Sequence, residues 1–487
     1  MVSTFTPLPS SFYQAASPFL VLSVCALLIL LSGVTKLAKN SCCIFVLTNI
    51  AFGATLLGVC CLSLPGRYLQ DALVVTPLSI FLQLLLLGFA WLLAILTYFS
   101  HLRGDFFRSE LVALYLFVLL GMMVFSSSED LVSLFVGLEI SSIGLYTLVG
   151  YTRVTRFSLE GGIKYLVLGS FATALLLFGF AFLYAVTGSL QLPVMMAAIA
   201  SGQPSLWLTL GASFTIFALG FKLALVPFQQ WSPDAYEGAA TNITAFMTIC
   251  VKIMVLSLLI KILGWVSESL GGTWVYVLGL MSVASMLFGN IMALIQSSIK
   301  RMLAYSSIAH SGYMAIALGV MEPGNSFPAR ALLFYLLSYA LTSLLVFGII
   351  LSLEHRQGEA IQLNDLKGLA KRYPWLACGL TVGMLSFAGL PPTAGFLGKF
   401  FVFNAAVQEG HFGLVLCAVV ASVISLFYYL HLVVMMYMHA PGKFVVENPN
   451  WISLVPRGIL AGAGIGVLAL GTILPGLVLA LLQGLFG

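Results

Sequence analysis

Residues 220–234 read GFKLALVPFQQWSPD, and this stretch decides the fold. It continues the apolar run LWLTLGASFTIFALG (206–220), so Lys222 falls where a bilayer-spanning helix would lie in hydrocarbon. Pro227 follows five residues later. Proline removes a backbone donor and clashes with the preceding turn, so the helix is expected to break there. In lipid a charge and a helix break are each costly unless water or polar partners reach them. Their coincidence points to a polar path built through a membrane.

The composition agrees. The 487 residues are 61% hydrophobic and only 8% charged, with mean hydropathy +1.08. Soluble domains run near a quarter charged. Apolar segments long enough to cross about 30 Å of hydrocarbon recur from end to end. They are continuous rather than alternating, which excludes a transmembrane barrel. The N-terminal stretch MVSTFTPLPSSFYQAASPF has no positive region before its first apolar run, so a cleaved signal peptide is not expected. The fold class is therefore an all-α polytopic membrane protein with about fourteen spans. They fall at approximately 15–35, 41–64, 73–99, 109–127, 130–150, 162–186, 205–228, 238–264, 272–296, 302–321, 327–353, 374–407 (interrupted), 413–438 and 456–484.

Loop charge tests that count. Loops after odd-numbered spans hold Lys36, Lys39, Arg103, Arg108, Arg153, Arg156, Lys300, Arg301, Arg356, Lys367, Lys371, Arg372, Lys443 and Arg457. Loops after even-numbered spans hold only Arg67 and Arg330. The bias places both termini on the non-cytoplasmic side. It also accounts for the net charge of +5, so nucleic-acid binding is not expected. The eight cysteines form no Cys-x-x-Cys pair, and no phosphate loop or haem attachment motif is present. No metal or redox cofactor is expected in this chain.

Five basic residues remain within or at the edges of spans: Lys164, Lys222, Lys252, Lys261 and Lys399. Lys261 lies near a helix end, where snorkelling to the interface is expected. The others are read as functional, because charge at mid-bilayer costs several kcal/mol. Glu139 sits about nine residues into the fifth span, near mid-depth at 1.5 Å per residue, and Lys222 is its expected partner by depth. Lys164 stands four residues after Glu160 and shares its helix face. Lys252 is central to the eighth span, and His310 lies well inside the tenth. Histidine titrates near neutrality and suits a relay. Lysine pKa falls on desolvation and rises beside a carboxylate, so a Glu–Lys pair that opens and closes can load and release a proton.

A second interruption, FAGLPPTAGFLGKF (387–400), places Pro391 and Pro392 mid-span and Lys399 one to two turns beyond. Matching broken helices in spans 7 and 12 point to an inverted-repeat transporter. Spans 4–8 and 9–13 would be the repeats, inverted because each holds an odd number of spans. The expected domains are 1–105, a three-helix segment; 106–268 and 269–440, the two repeats; and 441–487, a C-terminal helix.

The segments VGLEISSIGLYTLVGY, SLEGGIKYLVLGS, GFKLALVPFQQWSPDAYEGA, NIMALIQSSIKRMLAYSSIAHSGY and FAGLPPTAGFLGKF resemble the antiporter-like subunits of respiratory complex I, and most of all the subunit N group of bacterial NADH-quinone oxidoreductases. The resemblance covers spans 4–13 by motif and the remainder by position. It implies a proton-translocating subunit in which Glu139 couples to Lys222, the central switching lysine. Lys252 would continue the hydrophilic axis, His310 would bridge half-channels, and Lys399 would be the terminal lysine. Lys164 would be an input-side or coupling residue. Quinone, FMN and iron–sulfur clusters would reside in or between partner subunits, among them neighbouring antiporter-like subunits of a bacterial inner membrane. The group commonly carries His where this chain has Gln229, and Gly-Ala-Pro where it reads Gly238-Ala239-Ala240. Glutamine cannot titrate; what it can do is hydrate the break. The alternatives are a membrane subunit of a multisubunit cation/proton antiporter or of a membrane-bound hydrogenase, and, further off, a stand-alone solute carrier.

Overall fold

A computed structural model describes residues 10–35, 40–62, 65–69, 71–100, 102–151, 156–201, 205–270, 273–322, 324–354, 361–440 and 453–486. Of the loop cations weighed above, Lys36, Lys39, Arg153, Arg356 and Lys443 lie outside the described residues. The first three spans are helices α1 (Ser10–Ser32), α2 (Ser41–Cys60) and α3 (Pro77–Tyr98), with a small antiparallel hairpin between α2 and α3. A short helix α4 (Arg103–Phe106) leads to α5 (Ser109–Ser127), α6 (Leu131–Val149) and α7 (Arg156–Thr187). Then follow α8 (Leu192–Ser201), α9 (Leu206–Lys222), α10 (Trp231–Gly238), α11 (Thr241–Phe246) and α12 (Lys252–Leu270), with a π-helical turn, Met247–Val251, between the last two. The second half comprises α13 (Thr273–Leu294), α14 (Ile299–Gly319), α15 (Phe327–Leu353), a single turn α16 (Leu369–Arg372), α17 (Pro374–Ala388), α18 (Ala394–Gln408) and α19 (Phe412–Met438). The chain closes with α20 (Leu454–Thr472) and α21 (Pro475–Gln483).

Among the described residues eleven helical stretches are long and apolar enough to cross a bilayer. The three other expected spans are α9 with α10, α14, and α17 with α18. Those carry Lys222, His310 and Lys399. Breaks and polar side chains are what remove them from the apolar set. Among the elements that were not expected is α8, ten residues long and too short to span. It is anchored by Leu131 N–H on Leu190 O at 3.0 Å and Leu192 N–H on Glu129 O at 2.8 Å.

Burial sorts the helices. The most apolar eighteen residues of Thr241–Ile262 are all buried and those of Phe327–Leu353 are 89% buried, whereas those of Phe412–Met438 and Leu454–Thr472 are each 28% buried. So α12 and α15 form the centre, and Lys252 lies there. The outer helices present apolar side chains such as Leu28, Leu416 and Ile465, as expected of surfaces against lipid tails.

The first break begins earlier than the proline implies. Helix α9 ends at Lys222, and Ala224 takes a left-handed conformation (φ 57°) three residues before Pro227. The freed backbone is satisfied internally: Trp231 Nε1–H donates to Phe221 O at 2.9 Å, and Val226 N–H to Ser285 Oγ at 2.9 Å. In the second break Lys399 Nζ donates to Ala388 O, the last carbonyl of α17, at 3.0 Å. Both Val226–Pro227 and Pro391–Pro392 are cis. Gly389 ends α17 at φ 80°, and a Cβ built there would meet Lys399 Cδ at 2.9 Å.

Gly389→Ala is expected to cost about 1–2 kcal/mol of left-handed strain and to displace Lys399 as well. The check is the thermal inactivation midpoint of the purified assembly, which should fall; an unchanged midpoint would show that the position does not need glycine.

Candidate functional site

Four titratable side chains run through the buried interior: Lys222, Lys252, His310 and Lys399, exposed by 4%, 3%, 3% and 4%. None of the four is in an ion pair among the described residues. Each ends instead on hydroxyls, carbonyls and aromatic faces.

Lys222 closes α9, so its ammonium leaves the helix just where the break opens. Its Nζ donates to Ser142 Oγ at 2.7 Å and Tyr146 OH at 3.3 Å, both on α6, and lies 5.3 Å from the Tyr146 ring centroid. The expected contact with Glu139 is not made. At 100° per residue Glu139 stands one turn before Ser142 and two before Tyr146 on the same side of α6, at the edge of the exposed face formed by Val136 and Ile143, so it flanks the groups that hold Lys222 without bonding to the lysine itself. Glu139 is half-buried, and its Oε1 is buried without a hydrogen-bond partner.

Lys252 follows directly on the π turn, a feature that often marks functional sites. Its Nζ donates to Ser307 O at 2.7 Å and stands 4.4 Å above the Tyr339 ring. Tyr339 OH in turn donates to Ser307 Oγ at 3.0 Å. His310, one turn along α14, meets Tyr335 OH through Nδ1 at 2.6 Å and Tyr429 OH through Nε2 at 3.2 Å. Tyr429 also bonds Ser306. Lys399 donates to Ser422 Oγ at 3.0 Å as well as to Ala388 O, and lies 4.7 Å from the Tyr313 ring. Tyr313 OH accepts from Asn290 Nδ2 at 3.3 Å. Gln229, inside the first break, is buried with Oε1 unpartnered.

Sequence reasoning missed these hydroxyls. A partial signal was present in YSSIAHSGY (305–313), where Ser306, Ser307 and Tyr313 flank His310 at helical spacing. Tyr335, Tyr339, Tyr429 and Ser422 come from other helices, and one sequence does not reveal such pairings.

Lys164 lies apart from this row, at the rim. Its Nζ is 2.6 Å from Glu160, the expected i, i+4 partner, and 2.7 Å from Asp234. Asp234 also pairs with Arg301 at 2.9 Å, and Arg301 with Glu237 at 2.8 Å. Arg301 and Lys300 were read as loop cations; they stand instead in the first turn of α14. Lys261 does not snorkel to water. It pairs with Glu129 at 3.5 Å, and Glu129 pairs with Arg67 at 2.9 Å, because the α2–α3 hairpin brings Arg67 over that helix end. Pro227, Pro391 and Pro392 sit in the two breaks as expected. Among the described residues no group of three or more His, Cys, Asp or Glu could hold a metal ion.

A bundle of spanning helices, two of them broken beside buried lysines, is the architecture of an antiporter-like membrane subunit. Residues 128–425 match the family described as the NADH:quinone oxidoreductase/Mrp antiporter transmembrane region. The chain is 39% identical to NADH-quinone oxidoreductase subunit N of Methylovorus glucosotrophus over 88% of its own length and 89% of that relative. It is also similar to a chain of respiratory complex I from Thermus thermophilus, solved with bound aureothin: 32% identity, TM-score 0.79, covering 95% of this chain and 98% of that one. A chain of the Mrp complex from Dietzia sp. shares the fold at TM-score 0.80 and 20% identity, covering 97% and 96%. The protein is a multi-pass membrane protein that belongs to the NADH-quinone oxidoreductase subunit N family.

The shared carboxylate of Asp234 makes a further expectation. A double-mutant cycle of Asp234→Asn with Arg301→Gln should give a coupling of about 1 kcal/mol, since these groups are only partly buried and screened by water. Thermal inactivation of the purified assembly measures it, and the coupling should shrink at high salt.

Proposed function

We propose that this chain is a proton-translocating membrane subunit of a complex I-type NADH-quinone oxidoreductase. The observation that carries the reading is the row Lys222, Lys252, His310 and Lys399, buried and bonded to neutral groups. Ionisable groups inside a membrane protein are expensive, and apolar side chains would stabilise the bundle better, so their presence argues for use. Lysines held by hydroxyls rather than by fixed carboxylates are free to exchange a proton with water or a moving charge.

In this reading Lys222 is the switching group. Glu139 supplies the charge that biases it, from the side of α6 that also carries Ser142 and Tyr146. Lys252 extends the axis into the second repeat, His310 bridges the two half-channels, and Lys399 is the terminal lysine. Lys164 belongs to the input-side rim. Spans 4–8 and 9–13 act as inverted repeats, with domain limits at 105/106, 268/269 and 440/441, and Pro227, Pro391 and Pro392 keep the breaks open. Gln229 hydrates the first break.

Quinone reduction elsewhere in the assembly supplies the energy; FMN, iron–sulfur clusters and quinone belong to partner subunits. Neighbouring antiporter-like subunits flank the chain in a bacterial inner membrane, with both termini on the non-cytoplasmic side. Each charge moved against 100 mV costs about 2.3 kcal/mol, so transfer has to be gated. A subunit of an Mrp-type cation/proton antiporter is the second reading, because the family description spans both. The 39% identity to a subunit N, against 20% to the Mrp chain, favours the oxidoreductase.

Lys222→Ala and Glu139→Ala should each abolish proton pumping coupled to quinone reduction in sealed vesicles while leaving the assembly intact. Undiminished pumping by the assembled variants overturns the reading. The subunits that co-purify with the chain decide between oxidoreductase and antiporter.

A further inference from the structure

We propose that Glu354 is a proton-uptake residue that feeds Lys252 along a stripe of hydroxyls on α11 and the π turn; this rests on the reading of the chain as a proton carrier. Glu354 directly follows α15, and its side chain is only 9% exposed. Its Oε1 accepts from Thr241 Oγ1 at 2.8 Å and faces Lys300 Nζ at 3.7 Å. Among the described residues its Oε2 is buried with no partner. Lys300, 7% exposed, donates to Ala239 O at 2.9 Å. An unsatisfied carboxylate oxygen is costly inside a protein, and a polar, enclosed position of this kind is where a water binds.

From Thr241 the polar side chains continue inward. Thr241, Thr244, Thr248 and Lys252 are spaced three or four residues apart, so they follow one face over about 16 Å. All four are buried. The Tyr236 hydroxyl lies beside Thr248, Ser307 and Ser232, and Lys252 Nζ already donates to Ser307 O. Among the described residues Asn242 Oδ1 is buried without a hydrogen-bond partner, and Ser232 and Ser343 lie beside the Tyr236 and Tyr339 hydroxyls. A route lined by hydroxyls and unpartnered oxygens fits a file of water molecules, each needing two to four polar neighbours. None of these residues belongs to the row Lys222, Lys252, His310 and Lys399 except the lysine on which the stripe ends.

The transfer balances as a proton relay with no redox change. Glu354 Oε2 takes a proton from water at the loop end of the bundle, the end that also holds Asp234 and Arg301. Each hydroxyl or water along the stripe accepts one proton and releases another. The last O–H breaks as an N–H forms on the neutral amine of Lys252, and Glu354 returns to carboxylate.

The test uses the intact assembly in sealed proteoliposomes, with quinone reduction and proton uptake measured together. Glu354→Gln keeps the shape and the acceptor for Thr241 but removes the exchangeable carboxyl. It should slow pumping, and the quinone reduction coupled to it, by at least about tenfold, the scale of losing a positioned acid–base group. Glu354→Asp should retain most of the rate. Thr248→Val, which interrupts the stripe without touching the Lys300–Glu354 pair, should slow pumping as Glu354→Gln does. Wild-type pumping by assembled Glu354→Gln or Thr248→Val overturns the proposal, as does an Asp variant no better than Gln. If Glu354→Gln does not assemble, Thr248→Val decides. Lys222→Ala runs alongside: if it too pumps normally, the reading of the chain as a proton carrier fails instead.

Discussion

A backbone carbonyl released inside hydrocarbon must find a donor, and the two halves of this bundle meet that requirement differently. At the first break the donors are neutral. Trp231 caps Phe221 O, and Ser285 accepts from Val226, so Lys222 has no backbone duty and its ammonium reaches across to Ser142 and Tyr146. At the second break the lysine is itself the cap: Lys399 holds Ala388 O and passes within contact of Gly389. A neutral amine still carries two N–H donors, so Lys399 can lose its proton and continue to hold the carbonyl. The two lysines are therefore not copies of one device. Lys222 is held by side chains alone, whereas Lys399 is tied to the backbone of the break it adjoins.

Depth was legible in the sequence, and direction around the helix axis was not fully used. Apolar length located the spans, and proline located both breaks to within a few residues. The three spans that fail a length-and-composition test, α9 with α10, α14, and α17 with α18, are those carrying Lys222, His310 and Lys399. Glu139 and Lys222 were paired because both sit near mid-span. The 3.6-residue period already sets Glu139 on the side of α6 that carries Ser142 and Tyr146, at the edge of exposed Val136 and Ile143, so its place beside those hydroxyls could have been read. No such pattern signals that Tyr429 would reach His310 from 119 residues away, or that Ser142 would take Lys222 from 80. Those pairings arise from packing of helices distant in sequence. The loop reading of Lys300 and Arg301 failed for a related reason: charge suggests solvent, yet the carbonyl of Ala239 and the carboxylates of Glu354, Asp234 and Glu237 hold both inside the rim.

Among the described residues the ion pairs are kept apart from the row Lys222, Lys252, His310 and Lys399. The ion-paired carboxylates stand towards the ends of the bundle: Glu129 with Arg67 and Lys261 at one, Glu160, Asp234, Glu237 and Glu354 at the other. The interior holds lysines, histidine and hydroxyls. A buried lysine locked to a buried carboxylate would gain Coulomb energy in a medium of low dielectric constant and would hold its proton fast. Hydroxyl partners hold it through bonds that a water or a neighbouring tyrosine can replace. None of the four is closed into an ion pair among the described residues. The same arrangement explains why the centre is so tightly packed. With Thr241–Ile262 and α15 almost wholly enclosed, the buried polar surface that reaches Lys252 is confined to the faces that carry threonine, serine and tyrosine hydroxyls.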